Sequence, residues 1–340
     1  MISKRLKFFL GANQTEYLSM LAHSGMLSDA EFEIITNELQ YEGEWREFGY
    51  NQEDDEFGYN GIIPACFWLI ALCFNNKLPT GVTEILRHKT ANALLNKIRS
   101  GSIRKTTYNH NDVLNTSLLA AYSLVVYSDT TQNPNSYKAK IIEIYARRIV
   151  YRAMLSQHQS GAFPYQSNSR HISMLYHYMV VALLQKLNER WDNELLNYSI
   201  KRSQKFLEKT IVDDEIDWSK DTSGDKIGAV WAYFWLAVAG RELPNYHLQL
   251  DKLQAGMFLN GEDGNENLRY TAWCKLANII KTKKISGSVK INQKTNGQIL
   301  STLKYMLFSF DKMYFHFIIK INKTKIKLRH FIFKTGHELN

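Results

Sequence analysis

Apolar and aromatic residues are concentrated in five long stretches of the chain, each preceded by a loop rich in Tyr, Asn and acidic residues. The clearest copy is GAFPYQSNSRHISMLYHYMVVALL, residues 161–184. Its second half is apolar almost all round, as expected for a helix enclosed by others. The stretches recur about every 40 to 60 residues, which is the length of one helical hairpin per repeat. The other four begin at Phe57, Thr107, Ile216 and Asn260.

More polar segments lie between these stretches, with apolar residues on one face only. In residues 136–155, Ile142, Tyr145 and Ile149 recur at helical spacing, while Lys and Arg fill the other side. Each repeat is therefore predicted to hold an inner, buried helix followed by an outer, half-exposed one. Further outer helices are predicted at 82–99, 191–208 and 246–255, and a short pair at 16–23 and 28–39 would add a sixth hairpin.

Short polar side chains mark the predicted starts of the inner helices. Asn111 or Asp112, Ser169 and Asp225 stand where the first free backbone N–H groups need an acceptor. Hairpins of this number and length can close into a ring. The predicted fold is therefore all-α, an α/α toroid formed by a complete or incomplete ring of five to six helical hairpins over residues 1–282.

The charge of the chain is unevenly distributed. Its formal net charge is +9, but residues 283–340 hold 12 of the 42 Lys and Arg residues and only 2 of the 33 acidic ones. The main body is therefore almost neutral, and no nucleic-acid partner is expected. Residues 283–340 are predicted to be a small basic appendage, either a β-hairpin or a poorly ordered or aberrant, frame-shifted end. A further hypothesis is that this appendage tethers the body to an anionic membrane surface.

Several classes of site and location are excluded or disfavoured by the sequence. Cys66, Cys73 and Cys274 show no metal-ligand spacing and are expected to be reduced, buried thiols. The Walker, dinucleotide, GxSxG and HExxH motifs do not occur, so no cofactor or metal is expected. The start of the chain has too short an apolar run for a signal peptide, and no stretch reaches the roughly 18 apolar residues of a membrane span. A cytoplasmic, soluble protein is expected.

Parallel inner helices would gather their entrance loops at one end of the ring. Aromatic rings beside hydrogen-bonding groups suit a sugar, which offers apolar faces and hydroxylated edges. The alternative is that these loops are simply polar and solvated. The candidate substrate-binding residues are Tyr59, Asn60, Tyr108, His110, Tyr165, Arg170, Trp218 and Asp225.

Proton-transfer groups are concentrated in the third copy. Tyr176 and His177 lie about one and a half turns into its inner helix, and His171 precedes them. Tyr and His act as acids or bases when a pocket adjusts their pKa. The alternative for His177 is a core histidine satisfied by a backbone carbonyl. The candidate catalytic residues are Tyr176, His177, His171 and Asp112.

The segment 161–184 resembles the loop and Tyr-His helix of α/α-toroid domains in bacterial polysaccharide-processing proteins. These include heparinase- and alginate-lyase-like members and, more remotely, six-hairpin glycosidases. The likeness extends over about residues 55–280 as a repeat pattern. It implies binding of an acidic or amino-sugar polymer, with Tyr176 and His177 beside the substrate. A Tyr or His would then remove the proton next to a uronate carboxylate in a β-elimination.

The chain departs from those lyases in lacking a large β-sandwich after the toroid and a signal segment. Two other functions stay open. A hydrolase would need two carboxylates flanking the bond, for which Asp112 could combine with Asp217, Asp221 or Asp225. A non-catalytic helical scaffold would bind a glycan or a partner protein through the same loops.

Overall fold

The computed structural model describes part of the chain, and all of the described residues belong to the unit Met1–Ser288. These residues are 30, 40–41, 44–45, 62–74, 80–99, 102–103, 113–131, 136–167, 169–213, 215–222, 232, 235, 236, 238 and 239. The predicted hairpin at 16–39, the fifth apolar stretch, the boundary near residue 282 and the appendage 283–340 lie outside them or almost entirely so.

Most of the described residues are helical, which confirms the all-α prediction. The strands among these residues are only two residues long and form three antiparallel pairs. The part of the chain that the structure describes contains six helices with given bounds: α1 Ile62–Phe74, α2 Thr80–Lys97, α3 Leu114–Thr130, α4 Tyr137–Ser156, α5 Met174–Trp191 and α6 Glu194–Glu208. The strand pairs are β1 Gln40–Tyr41 with β2 Glu44–Trp45, β3 Ile98–Arg99 with β4 Ser102–Ile103, and β5 Ile211–Val212 with β6 Glu215–Ile216.

Buried and half-buried helices alternate along the chain, as the sequence predicts. In α3 every residue from Leu114 to Ser128 is buried, because this stretch carries no charged side chain. In α4 only one face is buried, formed by Ala139, Ile142, Ala146, Ile149, Val150 and Ala153. The inner helices are thus α1, α3 and α5, and the outer ones are α2, α4 and α6.

The inner helices α3 and α5 are neighbours and run parallel. At one end, the N–H of Leu114, at the start of α3, donates to the carbonyl of Tyr165 in the loop before α5, at 3.1 Å. At the other end, the guanidinium of Arg190 in α5 binds the carboxylate of Asp129 in α3, at 2.9 Å. Helix α3 also packs against α1 and its own outer helix α4, while α1 pairs with α2 and α5 with α6. Three consecutive inner–outer hairpins therefore stand side by side.

A charged cluster joins three helices at the C-terminal end of α3 and α5. It consists of Asp129 from α3, Glu143 and Arg147 from α4, and Arg190 from α5. Arg190 binds both carboxylates, and Arg147 also binds Glu143 at 2.6 Å. Burial raises the pKa of Asp129 to about 6 against the opposing effect of Arg190. Burial also acts to raise the pKa of Glu143, but its two arginines outweigh burial and lower it.

The C-terminal end of α1 is closed by a side chain of its outer helix. Arg87 in α2 donates from Nε to the carbonyl of Leu72 at 2.8 Å and from Nη2 to that of Cys73 at 3.0 Å. These carbonyls have no partner within the helix, so a cation there satisfies them. Cys66 and Cys73 in α1 are buried free thiols whose pKa values burial raises, as predicted for core cysteines; Cys274 lies outside the described residues.

One predicted helix boundary is wrong by three residues. Trp191 was expected to begin an outer helix, but it ends α5, and α6 begins at Glu194. Asp192 adopts a left-handed conformation with φ 45°, and the Asn193 side chain accepts the N–H of Leu196 at 3.1 Å. The Asp-Asn pair therefore supplies a helix stop and a helix cap. Within the described residues, no helix combines the length and apolar character that crossing a membrane requires.

Candidate functional site

The loop that enters α5, residues 157–173, is fixed to the neighbouring outer helix α6. We call it the third entrance loop. The Gln157 amide donates to the carbonyls of Gly161 and Ser199 at 3.0 and 2.9 Å, and to the hydroxyl of Ser203 at 2.7 Å. The hydroxyl of Ser199 donates to the Gln157 oxygen at 2.9 Å. One glutamine thus ties the loop to two turns of α6.

A glycine allows the same loop to approach the backbone of α6. Gly161 has a φ of +95°, a conformation that residues with a Cβ rarely adopt. A Cβ at this position would lie 2.2 Å from the carbonyl oxygen of Arg202. The Arg202 guanidinium in turn donates to the carbonyls of His158 and Gln159 at 2.8 and 3.0 Å. The loop is therefore held by backbone contacts that no other residue type at position 161 would permit unchanged.

Successive entrance loops bind one another at the N-terminal end of the inner helices. Val113, before α3, forms an isolated antiparallel bridge with Gln166 of the third loop. On the other side, Ile172 and Thr222 exchange hydrogen bonds, from the Ile172 N–H to the Thr222 hydroxyl at 2.7 Å and from the Thr222 N–H to the Ile172 carbonyl at 2.9 Å. The fourth entrance loop, residues 217–222, therefore lies directly beside the third.

The first backbone N–H of α3 and that of α5 are each bound by an acceptor from the following repeat. The N–H of Leu114 in α3 is bound by the Tyr165 carbonyl, and that of Met174 in α5 by the Asp221 carboxylate at 2.8 Å. This corrects the prediction that Ser169 caps α5. The Ser169 hydroxyl instead accepts the N–H of His171 within the loop, at 2.9 Å. The other predicted caps, at 111, 112 and 225, lie outside the described residues.

A predicted sugar-binding residue, Tyr165, and a predicted catalytic residue, Tyr176, form an aromatic pair at this end. The rings of Tyr165 and Tyr176 have centroids 4.6 Å apart, with planes inclined by 34°. Both side chains are half-buried, so part of each remains open to solvent. Arg170 and His171 are exposed in the loop between them. The loop between the two rings therefore carries an exposed cation and an exposed imidazole, and the N–H of Tyr165 donates to the His171 carbonyl at 3.4 Å.

His177 lies in the core and not on this surface. Its side chain is fully buried, and its Nδ1 accepts the N–H of Phe163 at 3.0 Å. The ring packs edge-on against Phe206, with centroids 5.1 Å apart. Because Nδ1 accepts, the proton of the neutral ring is on Nε2. That atom makes no well-formed hydrogen bond, although the Ser203 carbonyl is close enough to favour a proton there.

The environment of His177 keeps its ring neutral. Burial lowers its pKa to about 3, and the electrostatic effect of nearby His158 lowers it further. A base must be able to take up a proton in the working pH range. The observed position agrees with the alternative of a core histidine, except that its partner is a backbone N–H and not a carbonyl. Consecutive helix residues point about 100° apart, so Tyr176 and His177 cannot both face the same surface.

The fourth entrance loop adds one predicted aromatic residue. Trp218 is half-buried and packs against the core. It begins a short 3-10 helix, whose N-terminal N–H at Ser219 is bound by the Asp217 carboxylate at 3.0 Å. Of the twelve predicted site residues, six are described: Tyr165, Arg170, His171, Tyr176, His177 and Trp218. The other six lie outside the described residues: Tyr59, Asn60, Tyr108, His110, Asp112 and Asp225.

Sequence reasoning missed the residues that hold the site in place. Gln157, Gly161 and Thr222 carry no chemical motif, and only the Gly at a loop start gives a signal of close backbone approach. Among the described residues, no group of three or more His, Cys, Asp or Glu is arranged to hold a metal ion.

Comparison with known proteins finds no matching family model, no similar curated protein and no similar solved structure.

Proposed function

We propose that this chain is a carbohydrate-active protein with a toroid of helical hairpins, and that it binds an acidic polysaccharide where the entrance loops meet. The observation that carries the proposal is the Tyr165–Tyr176 pair, with Arg170 and His171 exposed on the loop that joins the two tyrosines. An aromatic pair offers a flat apolar surface to a sugar ring. An exposed guanidinium on the same loop, that of Arg170, can bind the carboxylate of a uronate. The loop's attachment to α6 pre-organises these groups, which favours binding.

The three described hairpins support the toroid part of the proposal. Their inner helices are neighbours in chain order, and α3 and α5 are parallel. If the inner helices of the remaining repeats were placed side by side and parallel in the same way, their entrance loops would lie at the same end. A polymer that spans several of them would contact aromatic and polar groups from more than one repeat.

Any turnover is expected to be a β-elimination with Tyr176 as the base, because its side chain reaches the surface that His177 does not. The burial of one half of the Tyr-His pair favours a second candidate, binding without turnover. Hydrolysis has less support. The Asp221 carboxylate caps α5 and that of Asp217 caps the 3-10 helix, so both are engaged by backbone N–H groups.

The binding proposal is tested by titrating the full-length protein with a uronate-containing polymer and with a neutral glucan, using calorimetry. We expect binding of the uronate polymer alone, weakened about tenfold by Tyr165→Ala, which corresponds to about 1.4 kcal/mol. Tyr198→Ala is the matched control, because Tyr198 is 64% exposed on α6. Equal affinities of the wild type and the Tyr165 variant would contradict the proposed surface.

Turnover is tested in the same mixtures by the absorbance of the unsaturated product of elimination. Tyr176→Phe keeps the ring and removes the hydroxyl, so we expect it to abolish product formation while leaving binding intact. Binding by the wild type with no rise in absorbance would identify a non-catalytic glycan-binding scaffold. Product formation that survives Tyr176→Phe would remove this residue from the mechanism.

A further inference from the structure

The outward face of α4 has an unusual composition for a helix surface. Tyr137, Lys140, Ile144, Arg148 and Tyr151 follow one another at intervals of three or four residues and therefore line one side of the helix. We call these five residues the outer stripe of α4. Tyr137 is 80% exposed and Ile144 50% exposed, Lys140 and Arg148 are exposed, and Tyr151 is half-buried. Three of the five side chains are thus apolar or aromatic on a face turned away from the core.

The charges of this stripe have a single sign. The one acidic residue of α4 is Glu143, which lies off the stripe and is bound by Arg147 and Arg190. Its carboxylate therefore does not offset the stripe. Lys140 and Arg148 are left as solvent-facing cations that flank Ile144 by one helical turn on either side. The partner that fits this surface is apolar at its centre and anionic around it.

We propose that the outer stripe of α4 is a contact surface for an anionic lipid bilayer. Tyr side chains favour the boundary between headgroups and acyl chains, where one end is apolar and the other wet. Lys and Arg extend their apolar stems along such a boundary and place their charges among the headgroups. Each cation close to an anionic bilayer strengthens binding, and the apolar side chains add to it.

Charge geometry argues against a second copy of the chain as the occupant. Lys140 and Arg148 are placed symmetrically about Ile144, four residues to either side. Two stripes packed antiparallel around Ile144 would set Lys140 of one copy opposite Arg148 of the other, and like charges there repel. Duplex DNA is also a poor match, because protein–DNA interfaces are polar and wet and would leave Ile144 without an apolar partner. This inference does not depend on the proposed glycan site.

The test is co-sedimentation of the full-length protein with lipid vesicles. One set of vesicles is made of phosphatidylcholine alone. The other contains about one third phosphatidylserine, which gives the vesicle surface a negative charge like that of an anionic leaflet. We expect binding to the anionic vesicles only, weaker when salt is raised from about 0.1 to 0.5 M because screening shortens the range of the attraction. Ile144→Glu and the double change Lys140→Gln with Arg148→Gln should each lower the partition coefficient at least fivefold.

The matched control is Ile85→Glu, because Ile85 is an isoleucine 56% exposed on the outer helix α2. It should bind anionic vesicles as the wild type does. Failure of the wild type to bind, wild-type binding by both stripe variants, or an equal loss with Ile85→Glu would each overturn the proposal. Light scattering without lipid completes the test. If the wild type is a dimer and Ile144→Glu dissociates it, the stripe is an interface between copies, and the membrane proposal is overturned.

Discussion

The buried, neutral His177 predicts that part of the acid sensitivity of this protein comes from one side chain. The pKa of His177 is about 3 in the folded chain, against 6.5 for an unperturbed histidine. Between these values the unfolded chain binds a proton that the folded chain does not. The free energy of unfolding therefore falls as the pH is lowered from 6.5, and it goes on falling until the folded pKa is reached.

The size of the effect follows from the two pKa values. Each pH unit within this window contributes at most about 1.4 kcal/mol, and the first part of the titration contributes less. Lowering the pH from about 6.5 to 4.5 should therefore remove about 2 kcal/mol through His177 alone. Asp129 has the opposite effect on stability. Its pKa is about 6 in the folded chain and 3.8 in the unfolded one, so between these pH values the folded chain binds the proton more strongly, and lowering the pH stabilises it. A comparison between variants is needed to separate the two.

The assay is urea unfolding, followed by circular dichroism, of the wild type, His177→Gln and His171→Gln at pH 6.5, 5.5 and 4.5. Gln at position 177 keeps an acceptor for the Phe163 N–H but does not titrate. We expect the wild type to lose about 2 kcal/mol more than His177→Gln over this range. His171 is exposed, so its variant should follow the wild type. Parallel pH profiles for the wild type and His177→Gln would refute the reasoning.

Two further predictions concern stability and are measured by urea unfolding near neutral pH. Gly161→Ala places a methyl group 2.2 Å from a backbone oxygen of α6 and should lower the free energy of unfolding by about 2 to 4 kcal/mol. Gly81→Ala, with nothing within 4 Å of the new carbon, should raise it by up to about 1 kcal/mol. Equal effects of the two changes would contradict the close approach of Gly161 to α6. Arg190→Gln leaves the partly buried carboxylates of Asp129 and Glu143 without their shared partner and should lower the free energy of unfolding by about 3 to 5 kcal/mol. The side chain of Arg147 is 32% exposed, so Arg147→Gln should lower it by less than half as much. A reversed order would show that Arg190 does not hold the charged cluster.

Periodicity predicts the hairpins well because burial imposes it. The outer helix expected at 136–155 is observed at Tyr137–Ser156, since its apolar positions are confined to one face and its caps are local. The cap of α5 could not be found in this way. It comes from Asp221, which lies 47 residues after Met174, and a short window of sequence contains no trace of such a contact.

The orientation of the Tyr-His pair escapes prediction for a different reason. Helix α5 is apolar on almost every side, so its sequence does not specify which face turns towards which neighbour. Whether Tyr176 or His177 reaches the surface depends on the rotation of the helix, which packing against α3 and α6 decides. Residue type therefore indicates the segment that carries the site, while the structure decides which of two adjacent side chains is available.

The binding of each inner helix start by the following entrance loop has a consequence for synthesis of the chain. Ribosomes add about 5 to 20 residues per second, and domains form from the N-terminus onward. The first N–H of α5 acquires its acceptor only after Asp221 has been added, when the hairpin of α5 and α6 is already complete in sequence. During synthesis the first N–H groups of α3 and α5 are therefore expected to stay unpaired until the next entrance loop has been added, so that each of these two hairpins is completed by the repeat that follows it.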